Sequence, residues 1–376
     1  MTVKPRIAIV TNIAWNIYNF RRGLAQAIKD AGYEPVLMAY ADKYAEMLVA
    51  EGWEFVPLLN MRRTGLNPAK DLKLYLELLH KYEELKITAA LHFTAKPLVY
   101  GSLAATKMKL PYIANMTGLG GPFSGDRFFI GLVTRVLYKL SFRRSYKIVF
   151  QNEDDRGFCI EKKMMQFSKT VLIPGSGVNM EKFSADLYQP PSSDKLVFLM
   201  FARLSWAKGI GYYIEAAKAV KEKHPDVVFR LIGPFDSDNL AIKKEQINLW
   251  HKAGIIEYLG VSDFIQNEIS QAHVIVYPSY YKEGIPKSLI EAAAMSKPII
   301  TTNNVGCKEV VYDGVNGLLV PVKDTAALIE ACEKFIAMRD EIRNKMGEES
   351  RKIAVEKFDE KLVLKNYMDL ISGMLK

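Results

Sequence analysis

The chain has 376 residues, 49% of them apolar and 25% charged, and carries a net charge of +9. That length exceeds what one hydrophobic core usually supports, and the composition is that of a soluble globular protein, so two domains are expected. No run of about 18 uncharged apolar residues occurs, so nothing is expected to span a membrane.

The positive charge is one-sided. Residues 1–180 hold 25 Lys and Arg against 15 Asp and Glu, leaving 26 and 27 in the remainder. A field of that kind suggests an anionic partner for the first half, either nucleic acid or a membrane surface. Cys159, Cys307 and Cys332 are scattered and lack CxxC spacing, which argues for a reducing compartment and against structural zinc. The five histidines form no metal-ligand spacing either.

From the start of the chain, Lys4 and Arg6 lead directly into the strand-like "RIAIVTN", so no signal peptide is expected there. Further apolar runs follow as "EPVLMAY", "EFVPLL", "AALHFT", "PYIANM", "KIVFQN" and "TVLIPGS", with helical patterns between them, for example over 20–31, 68–85 and 98–108. This alternation predicts a parallel α/β sheet. Within "DRFFIGLVTRVLYKLSFRRSYK" (126–147), Arg135, Lys139 and Arg143 recur every four residues, with Arg144 beside them. A helix would align these cations and set Phe128, Phe129, Leu132, Val136 and Leu140 on an apolar side. That pattern suits either an anionic bilayer surface or an ordinary helix packed on the sheet.

"SADLYQPPSSD" (184–194), rich in Pro, Ser and Asp, reads as an interdomain linker. After it "KLVFLMFARL", "VVFRLIG", "IEYLG", "VIVYPS", "PIITTN" and "GLLVPV" repeat the strand–helix alternation. The expected architecture is two doubly wound α/β domains facing across a cleft, 1–183 and 196–355, with a final helical segment, 356–376, that could cross back to the first. Ligands in such sheets bind beyond the carboxyl ends of the strands.

Three stretches of the second half carry chemistry. "KEGIPKSLIEAAAMSKPII" (282–300) opens a helix near Pro286, whose free N–H groups suit a diphosphate, with Gly284 removing bulk there. Glu283 and Glu291 flank that position, about 12 Å of helical rise apart, and each could receive hydroxyls of a sugar or ribose. In "FARLSWAKG" (201–209), Arg203 and Lys208 flank a turn and could neutralise a departing diphosphate. "LIGPF" (231–235) adds a glycine turn at Gly233. "DSD" (236–238) fits an Asp-x-Asp metal motif but reads as polar loop, and no divalent metal or other cofactor is expected.

"FARLSWAKG", "EYLGVSDFIQNEISQAHVIVYPSYYKEGIPKSLIEAAAMSKPIITT" and "EVVYDGVNGLLVPVKD" resemble the retaining GT-B glycosyltransferases of family 4. "TAKPLVYGSLAA", "NMTGLGGPF" and "LIPGSGVNMEKF" further resemble a bacterial branch that elongates sugars on undecaprenyl diphosphate. The resemblance implies that Arg203 and Lys208 bind the donor diphosphate. It also implies that Glu283 contacts the transferred sugar, that Glu291 contacts the ribose, and that the backbone around Gly284, Ile285, Pro286 and Lys287 faces the donor. Retention of anomeric configuration is implied as well.

The chain departs from that family in two places. No glycine-rich turn follows the first strand in "TNIAWNIYNFRRG", so Asn12, Trp15 and Asn16 are candidates for the acceptor side. "LHFTAKP" offers His92 alone where relatives place a His pair, and His92 or Lys96 could hydrogen-bond sugar or acceptor. Gly118, Gly120 and Gly121 either approach substrate or make a tight bend. The expected activity is transfer of a hexose or N-acetylhexosamine from a nucleotide sugar, UDP-linked, to a lipid-linked saccharide at the inner face of the cytoplasmic membrane. The rivals are a nucleotide-sugar epimerase of the same fold and a non-catalytic membrane-bound sugar-nucleotide-binding protein. A dinucleotide oxidoreductase is disfavoured because no G-x-G-x-x-G follows the first strand, and no aromatic-interleaved nucleic-acid motif is present.

Overall fold

A computed structural model of the chain describes residues 4–61, 67–120, 128–191, 195–236 and 240–376. It divides into two units, Met1–Ser176 with Glu360–Lys376, and Gly177–Asp359. The first contains β1 (Arg6–Ile13), β2 (Glu34–Tyr40), β3 (Phe55–Pro57), β4 (Ala89–Phe93), β5 (Tyr112–Met116), β6 (Lys147–Phe150) and β7 (Thr170–Leu172). They form one sheet in the order β3-β2-β1-β4-β5-β6-β7, every pair parallel. The chain builds outward from β1 in one direction and then in the other, so the switch point lies between β1 and β4.

Helices cover both faces, which is why the strands are apolar throughout rather than alternating. In β1, Ile7 and Ile9 enter one core with Leu91 and Phe93, while Ala8 and Val10 enter the other with Ala90 and Tyr82. The last helix, Glu360–Leu375, buries Val363, Tyr367, Ile371 and Met374 as one stripe in the core that holds Ile7 and Ile9. Tyr367 donates to Asn115 Oδ1 at 2.9 Å. This helix therefore completes the first unit, whose chain returns after Asp359.

The second unit contains β8 (Val197–Phe201), β9 (Val228–Ile232), β10 (Glu257–Tyr258), β11 (Val274–Tyr277), β12 (Ile299–Thr302) and β13 (Gly317–Val320). Their order is β10-β9-β8-β11-β12-β13, again parallel throughout, with the switch point between β8 and β11. Phe198 and Met200 pack into one core and Val197, Leu199 and Phe201 into the other.

The division at Ser176/Gly177 corrects the expected linker. Residues 184–191 belong to the second unit and are bound to its surface. The Arg351 guanidinium donates to the carbonyls of Phe183, Met180 (3.0 Å) and Ala294 (2.6 Å). Gln271 Nε2 donates to the carbonyls of Gln189 and Pro190 at 3.0 and 3.1 Å. Polar and proline-rich composition here marks an exposed chain fastened by its backbone carbonyls, not a connection between bodies.

Candidate active site

The turn after β8 and the loop after β11 meet at the second unit's switch point. Lys208, in the turn Trp206–Lys208, and Glu283, in the loop before the helix Lys287–Ala294, form an ion pair with Nζ–Oε2 at 2.5 Å. The two side chains are only 11% and 15% exposed. The other carboxylate oxygen of Glu283 accepts from Tyr277 Oη at 3.0 Å and Ser279 Oγ at 2.9 Å. Burial pushes the Glu283 carboxyl up, but the Lys208 charge, its hydrogen bond and the two hydroxyls outweigh that, leaving the pKa below its ordinary value. Glu283 is thus held ionised beside a cation at the carboxyl edge of the sheet.

Arg203 lies on the other side of β8. Its guanidinium, 39% exposed, pairs with the buried carboxylate of Asp236 in the loop after β9. Asp236 is the first residue of "DSD"; the other two lie outside the described residues. Gly233 precedes that loop with φ +150°, and a Cβ there would stand 1.7 Å from the Ala202 carbonyl oxygen. Only glycine lets the β9 loop close on the β8 turn. Its own carbonyl accepts from Tyr258 Oη at 3.0 Å.

The helix begins one residue later than expected, with Pro286 as N-cap and no side chain capping it. Its fixed φ suits the entry equally well there, and the first turn holds no acidic residue. Gly284, Ile285 and Pro286 are buried, while Lys287 is partly exposed. Glu291, one turn into the helix, receives no hydrogen bond on its carboxylate among the described residues. Its pKa is raised by burial, with Lys287 and Lys182 opposing.

Sequence reading missed what holds this loop in place. Thr301 Oγ1 donates to the Tyr277 carbonyl at 2.7 Å, Thr302 Oγ1 to that of Ser279 at 2.5 Å, and Asn304 Nδ2 to that of Tyr281 at 2.9 Å. Gly306, with φ +82°, brings its backbone so close to Gly284 that a Cβ would lie 1.8 Å from the Gly284 oxygen. Tyr277 and Ser279 stood in the quoted strand "VIVYPS", but nothing in their spacing marked them as partners of Glu283.

In the first unit the structure corrects the role given to His92. The imidazole is fully buried, with Nε2 at 2.8 Å from Tyr82 Oη and Nδ1 at 3.1 Å from Ser102 Oγ. Burial lowers its pKa to about 3, so it is a neutral core residue with both nitrogens occupied. Lys96 pairs with Asp71 at 2.7 Å, and Tyr100 Oη donates to the same carboxylate at 3.1 Å. Asn12 is the next-to-last residue of β1, and Trp15 and Asn16 lie in the helix Ala14–Phe20 that follows. Gly118 and Gly120 follow β5 with φ of +125° and +56°, and Gly121 lies outside the described residues.

The basic stretch forms the helix Phe128–Phe142; Asp126 and Arg127 lie outside the described residues. Tyr138 and Phe142 are buried beneath it, whereas Leu132, Val133, Val136 and Leu140 are 47–59% exposed. Arg135, Lys139, Arg143 and Arg144 are exposed alongside them. One Arg135 N–H also donates to the Lys162 carbonyl at 3.1 Å. Among the described residues no helix is long and apolar enough to cross a membrane, and no group of three His, Cys, Asp or Glu could hold a metal ion.

Residues 188–353 match the family of glycosyl transferases group 1. A Campylobacter jejuni protein, N,N'-diacetylbacillosaminyl-diphospho-undecaprenol alpha-1,3-N-acetylgalactosaminyltransferase, is 28% identical over 99% of both chains. An Escherichia coli UDP-Gal:alpha-D-GlcNAc-diphosphoundecaprenol alpha-1,3-galactosyltransferase is 27% identical, over 81% of this chain and 79% of its own. Among solved structures, Anabaena Alr3699/HepE in complex with UDP superposes with a TM-score of 0.77 at 18% identity, over 99% of this chain and all of that one. The two Rossmann-like parallel-sheet units are those of the GT-B fold. The matched segment contains Arg203, Lys208, Glu283 and Glu291 together, and the protein is a glycosyltransferase with a group 1 glycosyl transferase domain in its second unit.

Proposed function

We propose that the protein transfers a hexose or N-acetylhexosamine from a UDP-sugar to a hydroxyl of an undecaprenyl-diphosphate-linked saccharide, with retention of configuration. The observation that carries the chemistry is the Lys208–Glu283 pair beside the uncapped entry to the helix Lys287–Ala294. An ammonium and the positive end of a helix are the parts needed to take up charge on a leaving diphosphate. Glu283, kept ionised, accepts hydrogen bonds from the transferred sugar, and the unoccupied carboxylate of Glu291 receives the ribose. The acceptor class rests on the activities named for the two bacterial relatives, one of which matches this chain from end to end.

Lys208 and Arg203 stand in for a divalent metal in this reading. Leaving-group departure and attack by the acceptor hydroxyl occur on the same face of the donor sugar. The exposed ridge Leu132, Val133, Val136 and Leu140, bordered by four cations, supports docking of the first unit on an anionic membrane. The test is a panel of UDP- and GDP-sugars against a short prenyl-diphosphate-linked saccharide, with and without EDTA, reading nucleotide release and the product anomer. Acceptor-dependent UDP release that survives EDTA and gives an α-linked product from an α-linked donor is expected. Donor consumption without acceptor would instead point to an epimerase. UDP binding without turnover would point to a binding protein.

A further inference from the structure

The motif "DSD" (236–238) has no part in the donor chemistry, although its first residue touches a donor-site cation. Arg203 Nη1 donates to Asp236 Oδ2, and the two side chains differ in exposure, 39% for the arginine and 0% for the carboxylate. The carboxylate thus backs the guanidinium from the interior, while part of the arginine stays open to solvent. Lys208 follows the same plan across β8, paired with Glu283.

The backbone around Asp236 fixes it there. Arg203 sits between Ala202 and Leu204, and both neighbours donate N–H groups to the chain leaving β9. Ala202 donates to the Ile232 carbonyl at 3.0 Å and Leu204 to that of Pro234 at 2.9 Å. The parallel pairing of β8 with β9 is thereby carried past the strand ends, as far as Leu204 and Phe235. Beyond the motif, the Leu240 carbonyl accepts from Trp206 N–H at 2.8 Å and from Ser205 Oγ at 3.1 Å. Ile242 N–H donates to the Leu204 carbonyl at 3.1 Å. The Phe235 ring meets that of Tyr258 edge-on, with centroids 5.9 Å apart. Asp236 is therefore fastened from both directions to the turn that carries Arg203, and its carboxylate is the fixed member of the pair.

We propose that Asp236 is a positioning residue that aims the Arg203 guanidinium at the donor's diphosphate, and that it is not a metal ligand. This rests on the reading of Arg203 as a contact of that diphosphate. An arginine side chain has many rotamers, and one without an anchor loses that freedom each time an anion binds. The guanidinium is a rigid fork of several N–H donors, so one edge can be anchored while another meets a phosphate. A neighbouring carboxylate also subtracts positive charge, which opposes anion binding. Here it lies on the buried side, so a phosphate arriving from solvent meets the guanidinium first and the orienting effect prevails. An Asp-x-Asp cation site needs its carboxylates turned toward the ion, whereas that of Asp236 is turned toward Arg203.

The test is calorimetric titration of UDP into wild type, Asp236→Ala, Asp236→Asn, Arg203→Gln and the double variant Asp236→Ala/Arg203→Gln, each with EDTA and with manganese. Asparagine keeps an acceptor oxygen without the charge and alanine removes both, so the two variants separate aim from charge. Alanine should weaken UDP binding about 5–20-fold, the scale of one long side chain's rotamer freedom. Asparagine should stay within about threefold of wild type, and alanine should add nothing in the Arg203→Gln background. Tighter UDP binding by both single Asp236 variants would overturn the proposal, making the carboxylate a competitor of the diphosphate. An equal alanine effect in the Arg203→Gln background would overturn it as well, as the mark of a residue that serves only the fold. Asp236→Ser, too short to reach the guanidinium, takes the place of alanine if that variant does not fold. Manganese-dependent UDP binding that Asp236→Asn abolishes would show a metal ligand instead. Wild-type UDP affinity in Arg203→Gln, or a wild type that binds no UDP, would remove the donor reading on which the proposal stands.

Discussion

Replacing Lys208 by Met would take the ammonium from a carboxylate that is only 15% exposed. Breaking a buried ion pair by removing one partner costs about 3–5 kcal/mol, because the other charge stays behind without compensation. Tyr277 and Ser279 would still donate to Glu283, which puts the loss near the lower end, about 3 kcal/mol. Glu283→Gln strands Lys208, 11% exposed, at a similar cost. The double variant Lys208→Met/Glu283→Gln leaves no charge stranded and should recover to within about 1 kcal/mol of wild type.

The pH dependence should change sign as well. In wild type Glu283 lies below its ordinary 4.5, so its stabilising contribution is present above that value and lost as pH falls through the lowered one. In Lys208→Met the upward push of burial is no longer opposed by the ammonium. The carboxyl then rises, and the variant should gain stability relative to wild type as pH falls from 7 toward 5. Urea unfolding of the four proteins at pH 7 and pH 5 measures both effects, and sugar transfer is assayed in parallel. Turnover should be lost in all three variants, the stable double included. Additive single-variant costs, or a double variant that recovers turnover together with stability, would refute the reasoning.

Three further outcomes are expected. His92 has a pKa of about 3 against 6.5 when exposed, so folding favours its neutral form. That contribution is intact above pH 6.5 and shrinks as pH falls toward 3. Wild type should therefore lose about 2 kcal/mol more than His92→Gln between pH 7 and pH 5, read by chemical denaturation. Gly306→Ala would drive a Cβ into the Gly284 carbonyl and should cost at least about 3 kcal/mol, with loss of UDP affinity. Gly314→Ala, at φ +73° in open space, should cost only about 1–2 kcal/mol and is the control for both readouts. Replacing Arg135, Lys139, Arg143 and Arg144 by Gln removes about 1 kcal/mol each of attraction to anionic lipid. Vesicle co-sedimentation should fall by two to three orders of magnitude in partition coefficient, on the order of the summed energies. Binding indifferent to that change would count against membrane docking.

Each of the thirteen strands among the described residues overlaps an apolar run readable in the sequence, because parallel strands buried on both faces leave continuous hydrophobic text. The candidate donor side was legible for a related reason: Arg203, Lys208, Gly233 and Glu283 all lie just past such runs, where a parallel sheet places its ligand edge. The partners were not legible. Asp236 stands 33 residues from Arg203, and the two meet only because β9 lies beside β8. His92 looked like a strand-end functional group, yet Tyr82 and Ser102, each ten residues away, enclose it. The proposed linker misled because composition reports exposure to water, whereas the attachment of Gln189 and Pro190 depends on Gln271, far downstream. Nor did the spacing of the amphipathic helix show which of its apolar residues pack: Tyr138 and Phe142 are buried, Leu132 and Val136 exposed.

The contribution of Glu360–Leu375 to the first sheet's core has a consequence for biosynthesis. Val363, Tyr367, Ile371 and Met374 are translated only after the entire Gly177–Asp359 body. On the ribosome, the portion made first is thus the one whose hydrophobic seam stays open longest. A nascent chain of this kind would finish its downstream lobe before its upstream one, and chaperone demand should peak in between.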